Sequence, residues 1–159
     1  PKGFRESAFR AGYGMAEMVE GVTATRSGPP RADWIRLATL QREGRAEPAA
    51  PESAGSAAFV SCGPPKEGAE LRIVDDAGAP LPERRVGEIE VRTESMMRGY
   101  HRRPDLTAAA FRDGWFRSGD LGYLAGDELH VVGRRKDLII VGGHNVAPDE
   151  IEAVAERVP

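Results

Sequence analysis

Cysteine is nearly absent from this chain: its 159 residues hold one, Cys62. A lone cysteine forms no internal disulfide, so a reducing, cytoplasmic compartment is expected. Cys62 ends the apolar run Phe59-Val-Ser-Cys62, and no histidine beside it in sequence would stabilise a thiolate. It reads as a structural residue rather than a nucleophile. Aromatic residues are scarce, at 6%, so any core is thin. No apolar run is long enough to span a bilayer, and no secretory leader pattern is present. A block of one charge is also missing. The 22 basic and 25 acidic residues are interspersed, giving a net charge of −3. The longest basic runs, Arg102-Arg103 and Arg134-Arg135-Lys136, are short. Nucleic acid is therefore not an expected partner.

What remains is 40% hydrophobic, enough for one ordinary domain. Gly12 and Gly14 flank Tyr13, where the backbone is expected to turn or approach something closely, and Val19–Thr25 is β-prone. Asp33–Leu40 carries Ile35, Leu37 and Leu40 in a pattern that predicts a short helix with Asp33 as its N-cap, ended by Gly44. Ala46–Ser56, rich in Ala, Pro, Glu, Ser and Gly, reads as an exposed loop. From residue 57 the rhythm is that of strands. Ala57–Ser61 is a short apolar run, Glu70–Asp75 alternates, and Glu88–Thr93 alternates with Ile89 and Val91 on one face. Thr107–Phe111 suits a helical turn. Trp115-Phe116, a loop at Ser118-Gly-Asp120, a strand at Leu121–Leu124 and another at Glu128–Val132 follow. Leu138–Val141 is a fully apolar strand closed by Gly142-Gly143. From Asp149 onward, Ile151, Val154, Ala155 and Val158 predict an amphipathic helix, with Pro148 where a first turn tolerates proline.

Four segments, in order, resemble the motifs of acyl-CoA synthetases, nonribosomal-peptide adenylation domains and luciferases, the adenylate-forming superfamily. Tyr13-Gly-Met-Ala-Glu17 resembles Tyr-Gly-x-Thr-Glu. Gly87-Glu-Ile-Glu-Val, then Met97-Arg-Gly-Tyr100 and Thr107, resembles the Gly-Glu-Ile/Leu and Gly-Tyr block. Trp115-Phe-Arg-Ser-Gly-Asp120 resembles Trp-x-x-Thr-Gly-Asp. Gly133-Arg-Arg-Lys-Asp137, with Gly143-x-Asn145 and Pro148-x-Glu-Ile-Glu152, resembles the Gly-Arg-x-Lys-Asp hinge block. Within the superfamily the chain is most similar to fatty acyl-AMP ligases. The long segment 18–62 resembles their insertion, Phe59-Val-Ser-Cys-Gly-Pro their following stretch, and Ala16 their alanine in place of threonine.

The resemblance implies joining of a carboxylic acid to the α-phosphate of ATP, then transfer of the acyl group to a carrier-protein thiol. A general acyl- or aryl-CoA ligase, using CoA as acceptor, is the alternative enzyme, and a non-catalytic nucleotide-binding or structural fragment is the alternative of another class. Both reactants of adenylation are anions, and Mg²⁺ suits carboxylate oxygens. By resemblance Glu17 holds the magnesium; read alone it is a surface glutamate near a turn. A carboxylate can accept from both hydroxyls of a ribose, and by resemblance Asp120 does so; read alone it is a turn aspartate. Arg134 is implied to add a cationic contact to ribose or phosphate, and otherwise is a surface arginine at a strand end. Tyr13 is implied to pack by adenine, or else is a core tyrosine. Gly14, Met15 and Ala16, of the same motif, are implied to line the ligand site too, with Gly14 and Met15 near the acyl group and Met15 a wall of its pocket. Lys136 falls at the hinge about which the family's C-terminal subdomain rotates. His144, with no acidic or nucleophilic neighbour in sequence, reads as a loop histidine.

The implied fold is α/β. A distorted antiparallel β-barrel-like subdomain at 57–135 joins a remnant of a larger α/β core with an insertion-like loop at 1–56. Residues 136–159 hold the hinge and the start of a small C-terminal α+β subdomain. Pro1 is not an initiator methionine and Pro159 interrupts a helical pattern, so a fragment of a longer chain is expected. No segment resembles the family's phosphate loop or its C-terminal lysine, so the isolated chain is expected to be inactive.

Overall fold

The computed structural model of the chain describes residues 3, 5–19, 21–26, 28–137, 139–141, 144–146, 148, 152 and 155. In chain order the elements are β1 (Gly12–Gly14), β2 (Gly21–Ala24), β3 (Ala32–Arg36), α1 (Leu37–Glu43), β4 (Ser56–Val60), β5 (Ala69–Val74) and β6 (Gly87–Thr93). Then come α2 (Pro104–Ala110), β7 (Phe111–Arg112), β8 (Trp115–Ala125), β9 (Glu128–Arg134), β10 (Ile139–Val141) and β11 (His144–Val146). The result is a mixed α/β fragment, mostly strands, with a curled half-barrel sheet.

That sheet is antiparallel and has five strands. β6 lies between β5 and β8, and the far edge of β8 is shared by β7 and β9. The alternation read at 88–93 explains one face of β6: Ile89 and Val91 are fully buried in a core with Ile73, Phe116 and Leu129. Burial contributes about 1.5–3 kcal/mol for each such side chain. The other face of β6 was not legible as buried. Glu88 and Glu90 are also removed from solvent, because arginines from neighbouring strands close over them. Arg72 lies 2.6 Å and Arg112 3.6 Å from the Glu90 carboxylate, and Arg117 lies 3.0 Å from Glu88. Buried carboxylates are tolerated only with such partners. Trp115 caps this face, with Arg72 and Arg92 both over its ring.

Three local expectations change. Residues 32–36 form a strand, not the start of a helix. Trp34 and Ile35 pair with Ala58 and Ala57 of β4, and the fully buried Ile35 anchors a second core with Leu40, Ala46 and Tyr123. The helix starts only at Leu37 and ends at Gly44, so Asp33 is not its cap. Tertiary pairing outweighs a weak helical propensity here. The segment 46–56 is not simply an exposed loop. Ala46 is fully buried, and backbone bonds from Ala46 to Arg84, from Arg36 to Glu47 and from Ala49 to Trp34 tie its first part down. Third, Ser118-Gly119-Asp120 lies within strand β8 rather than in a loop, as an irregularity in its register against β6, whose pairs stop at Arg117 and resume at Leu121.

Segment 61–66 stitches the pieces together. Cys62 N donates to Leu129 O on β9, and Lys66 N donates to Val22 O on β2. This places the β1–β2 pair against the sheet, with Tyr13 above β8. Burial pushes the Cys62 thiol up from its ordinary pKa, the opposite of activation. After the turn at Arg135–Asp137, β10 and β11 pair antiparallel. The helix expected from Asp149 onward lies largely outside the described residues.

Candidate active site

A cleft of about 650 Å³ opens where the β1–β2 region, the middle of β8 and the end of β9 meet. Met15, Glu17, Asp120, Arg134 and Lys136 all line it. These residues come from three of the four motifs, whereas a purely structural domain is expected to hold Glu17, Asp120 and Arg134 apart, with no shared cleft.

Asp120 is aimed by its own strand. Gly119 has φ of +74°, a left-handed conformation that side chains resist and glycine adopts freely. The Ser118 hydroxyl donates to Ile89 O at 2.7 Å and accepts from Asp120 N at 3.0 Å. The hydroxyl thus locks the kink, which is a local reason for serine or threonine there. Asp120 and Arg134 are opposite one another in the β8–β9 ladder, and Arg134 Nε meets Asp120 Oδ1 at 2.9 Å. The other oxygen, Oδ2, accepts from the Tyr13 hydroxyl at 2.8 Å. A carboxylate has about four lone-pair sites, so two acceptor positions remain on Asp120 for a ligand. Arg134 keeps 59% of its side chain exposed although it is paired.

Tyr13 lies beneath the cleft rather than on its wall. Its ring is in the core, 9% exposed, and its backbone N donates to Thr23 Oγ1. What it presents toward the site is its hydrogen bond. Burial pushes its phenol far above the ordinary value, with the neighbouring Asp120 adding to the shift and the Ser118 hydrogen bond opposing it. The hydroxyl is therefore a fixed donor. Gly14 ends β1 at a register irregularity, and Ala16 opens the short helical turn Ala16–Met18; neither lines the cleft.

Glu17 sits in that turn. Its Oε1 accepts from the Tyr100 hydroxyl at 2.9 Å, and its backbone O accepts from Met97 N at 2.7 Å. Among the described residues no group of three or more His, Cys, Asp or Glu side chains could hold a metal. A lone cleft carboxylate still fits Mg²⁺ that arrives with a nucleotide, because that ion is commonly held by one or two carboxylates, waters and phosphates. Lys136 stands exposed at the β9 exit, in the turn Arg135–Asp137. His144 pairs through its backbone with Val141.

Sequence reasoning passed over two contributors. Tyr100 belongs to the Gly-Tyr motif, to which the resemblance assigns no role. Glu88, buried with Arg117 at 3.0 Å and Arg135 at 3.7 Å, forms a cleft wall whose charges offset one another. Nothing in the β6 alternation marked that glutamate as buried.

Known proteins similar to this chain are numerous. Residues 2–101 match the family model described as AMP-binding enzyme. A fatty acyl-adenylate ligase structure, from work on the enzymes of E. coli and L. pneumophila, superposes with a TM-score of 0.90 at 34% identity, covering 99% of this chain and 28% of that one. The 4-hydroxyphenylalkanoate adenylyltransferase of Mycobacterium marinum is 37% identical, over 99% of this chain and 27% of its own length. A feruloyl-CoA synthase of Amycolatopsis sp is 39% identical, over 93% of this chain and 25% of its own length. The chain thus spans between a quarter and a third of the length of these relatives.

Proposed function

This chain belongs to the family of AMP-binding enzymes, and from that premise we propose that it supplies the ribose- and magnesium-binding side of an acid-activating site within a longer ATP-dependent ligase. The observation that carries the reading is the convergence of Glu17, Asp120, Arg134 and Lys136 on one cleft. The Asp120 carboxylate accepts from the ribose hydroxyls, with Tyr13 and Arg134 holding it in place. Arg134 adds positive charge toward the ribose or phosphates. Glu17 offers a carboxylate oxygen to Mg²⁺, which when bound offsets the charge of the phosphates. Met15 borders the acyl group. Lys136 lies where the C-terminal subdomain, residues 136–159 onward, turns relative to the β-rich subdomain at 57–135 and the core remnant at 1–56. In the overall reaction a substrate carboxylate oxygen attacks the α-phosphorus, pyrophosphate leaves, and an acyl-adenylate forms. An acceptor thiol then takes the acyl group and AMP leaves.

For the substrate we favour a fatty acid, with a carrier-protein thiol as acceptor and a cytoplasmic setting. The similarity to a fatty acyl-adenylate ligase over nearly the whole chain supports this. The feruloyl-CoA synthase similarity favours the second reading, a CoA ligase. The test is acid-dependent ATP–pyrophosphate exchange by the full-length protein, followed by transfer to a phosphopantetheinylated carrier and to CoA. Exchange with carrier loading well above CoA thioester formation is expected. Comparable CoA thioester formation would overturn the carrier reading, and no exchange with any acid would overturn the ligase reading.

A further inference from the structure

The loop before α2 grips the Glu17 turn at three points. Met97 N donates to Glu17 O at 2.7 Å. Ser95 Oγ donates to Met18 O at 2.8 Å. The Tyr100 hydroxyl donates to Glu17 Oε1 at 2.9 Å, across 83 residues of sequence. The turn so held is strained. Val19, which follows it, has φ of +63° and is exposed. A β-branched residue in that conformation costs about 1–3 kcal/mol and persists only where its surroundings hold it.

Tyr100 is itself fixed from behind. Its backbone N donates to Thr107 Oγ1 at 2.9 Å, and the Thr107 hydroxyl donates to Arg103 O at 2.9 Å, closing the loop onto α2. Gly99, with φ of +154°, lies against Thr107; a Cβ at Gly99 would come within 2.8 Å of the threonine methyl. The spacing Gly99-Tyr100…Thr107 is therefore a mechanical unit, with glycine admitting the threonine, threonine fixing the tyrosine backbone, and tyrosine reaching Glu17. Only one oxygen of the Glu17 carboxylate takes the Tyr100 bond, and Glu17 and Tyr100 both line the cleft.

We infer that Tyr100, braced by Thr107, is a positioning residue that orients the Glu17 carboxylate for the divalent cation bound with ATP. This rests on the assignment of Glu17 to the cation. A side chain tethered at one oxygen loses its rotamer freedom before the ion arrives, so less ordering remains to be done on binding. The tyrosine bond also leaves the second oxygen free of that contact and so available as a ligand.

The test uses the full-length protein and Mn²⁺ as probe, with free Mn²⁺ followed by electron paramagnetic resonance in the presence of ATP. Tyr100→Phe removes only the hydroxyl and is expected to weaken Mn²⁺ binding by about 3- to 10-fold, the range for one typical hydrogen bond after solvent competition. Thr107→Val is expected to weaken it in the same direction, and Thr107→Ser, which keeps the hydroxyl, to recover most of that loss. That recovery separates positioning from general loosening, and it stands even if one variant folds poorly. Wild-type Mn²⁺ affinity in Tyr100→Phe, beside a clear loss in Glu17→Gln, would overturn the role of Tyr100 and leave Glu17 in place. Unchanged affinity in Glu17→Gln would overturn both.

Discussion

Among the described residues stand two tyrosine–aspartate–arginine triads, one at the cleft and one away from it. At the cleft, Asp120 takes the Tyr13 hydroxyl at 2.8 Å and Arg134 Nε at 2.9 Å. Under the lobe made by β3, α1 and β4, Asp33 takes the Tyr123 hydroxyl at 2.9 Å and an Arg84 nitrogen at 3.0 Å. In both, burial is the leading cause that pushes the tyrosine phenol up. The chemistry is the same and the surroundings differ. Arg134 leaves 59% of its side chain open beside a cavity. Arg84 leaves 33%, donates to both Asp33 oxygens and also to Ala46 O, inside the fold. Tyr123 is fully buried and stacked on His130, whose ring nitrogen Nδ1 meets Phe59 O at 3.1 Å. Asp120 lines the cleft, whereas Asp33, whose side chain is 17% exposed against 11% for Asp120, does not and serves as a strut between the lobe and the sheet. Residue types alone do not make a site; a concave setting does.

The largest effect should separate the two aspartates. Asp120→Ala in the full-length protein is expected to lower kcat/KM for ATP by about 100-fold or more, since hydrogen bonds to a charged acceptor carry about 1.5–3 kcal/mol each. Asp33→Ala is expected to leave that constant within about two-fold and to lower the unfolding free energy by about 2–3 kcal/mol, because Tyr123 and Arg84 lose a buried partner. Equal losses of ATP affinity in both variants would erase the distinction.

A smaller effect should separate the tyrosines. Tyr13→Phe and Tyr123→Phe each remove one hydrogen bond and are expected to cost about 1 kcal/mol in denaturant unfolding. Only Tyr13→Phe is expected to weaken ATP binding as well, by about 3- to 10-fold in titration calorimetry. If Tyr123→Phe weakened ATP binding equally, the strut would be coupled to the site.

The smallest effect should come from His130. Burial holds its pKa below the ordinary 6.5. The unfolded chain therefore takes up this proton first, and the folded state gives up stability as pH falls. That contribution is full above about pH 6.5 and declines below it, through the lower folded value. Unfolding free energies compared at about pH 7.5 and about pH 5.5 should show a loss that His130→Phe reduces. ATP affinity should not follow it. A pH dependence unchanged in the variant would count against His130 as its source.

The cleft triad was partly legible because its residues sit in motifs with local meaning. Ser118-Gly119-Asp120 announces a kink with a carboxylate after it, and the kink is there, although within a strand rather than a loop. Asp33 was misread as a helix cap. Its true partners, Tyr123 and Arg84, lie 90 and 51 residues away in sequence, and no local pattern reports such pairing. The two glutamates of β6 fail for the same reason. Alternation marks Ile89 and Val91 as inward and so implies a wet opposite face, but the arginines that cover it come from β5, β7 and β8. Tyr100 lies within the Gly-Tyr motif, yet its function depends on reaching a residue 83 positions earlier.

The sequence by itself determined the strand rhythm, the turn residues and the identity of the groups able to act, because propensity, periodicity and side-chain chemistry are local properties. It determined as well, through its ordered motifs, the family to which the chain belongs. Only the tertiary structure decided which aspartate lines the cleft and which ties the lobe to the sheet, which carboxylates are buried with arginines, and what Tyr100 touches. Those outcomes depend on contacts between residues distant along the chain, whose energies become favourable only once the sheet, the β1–β2 pair and the lobe have closed on one another.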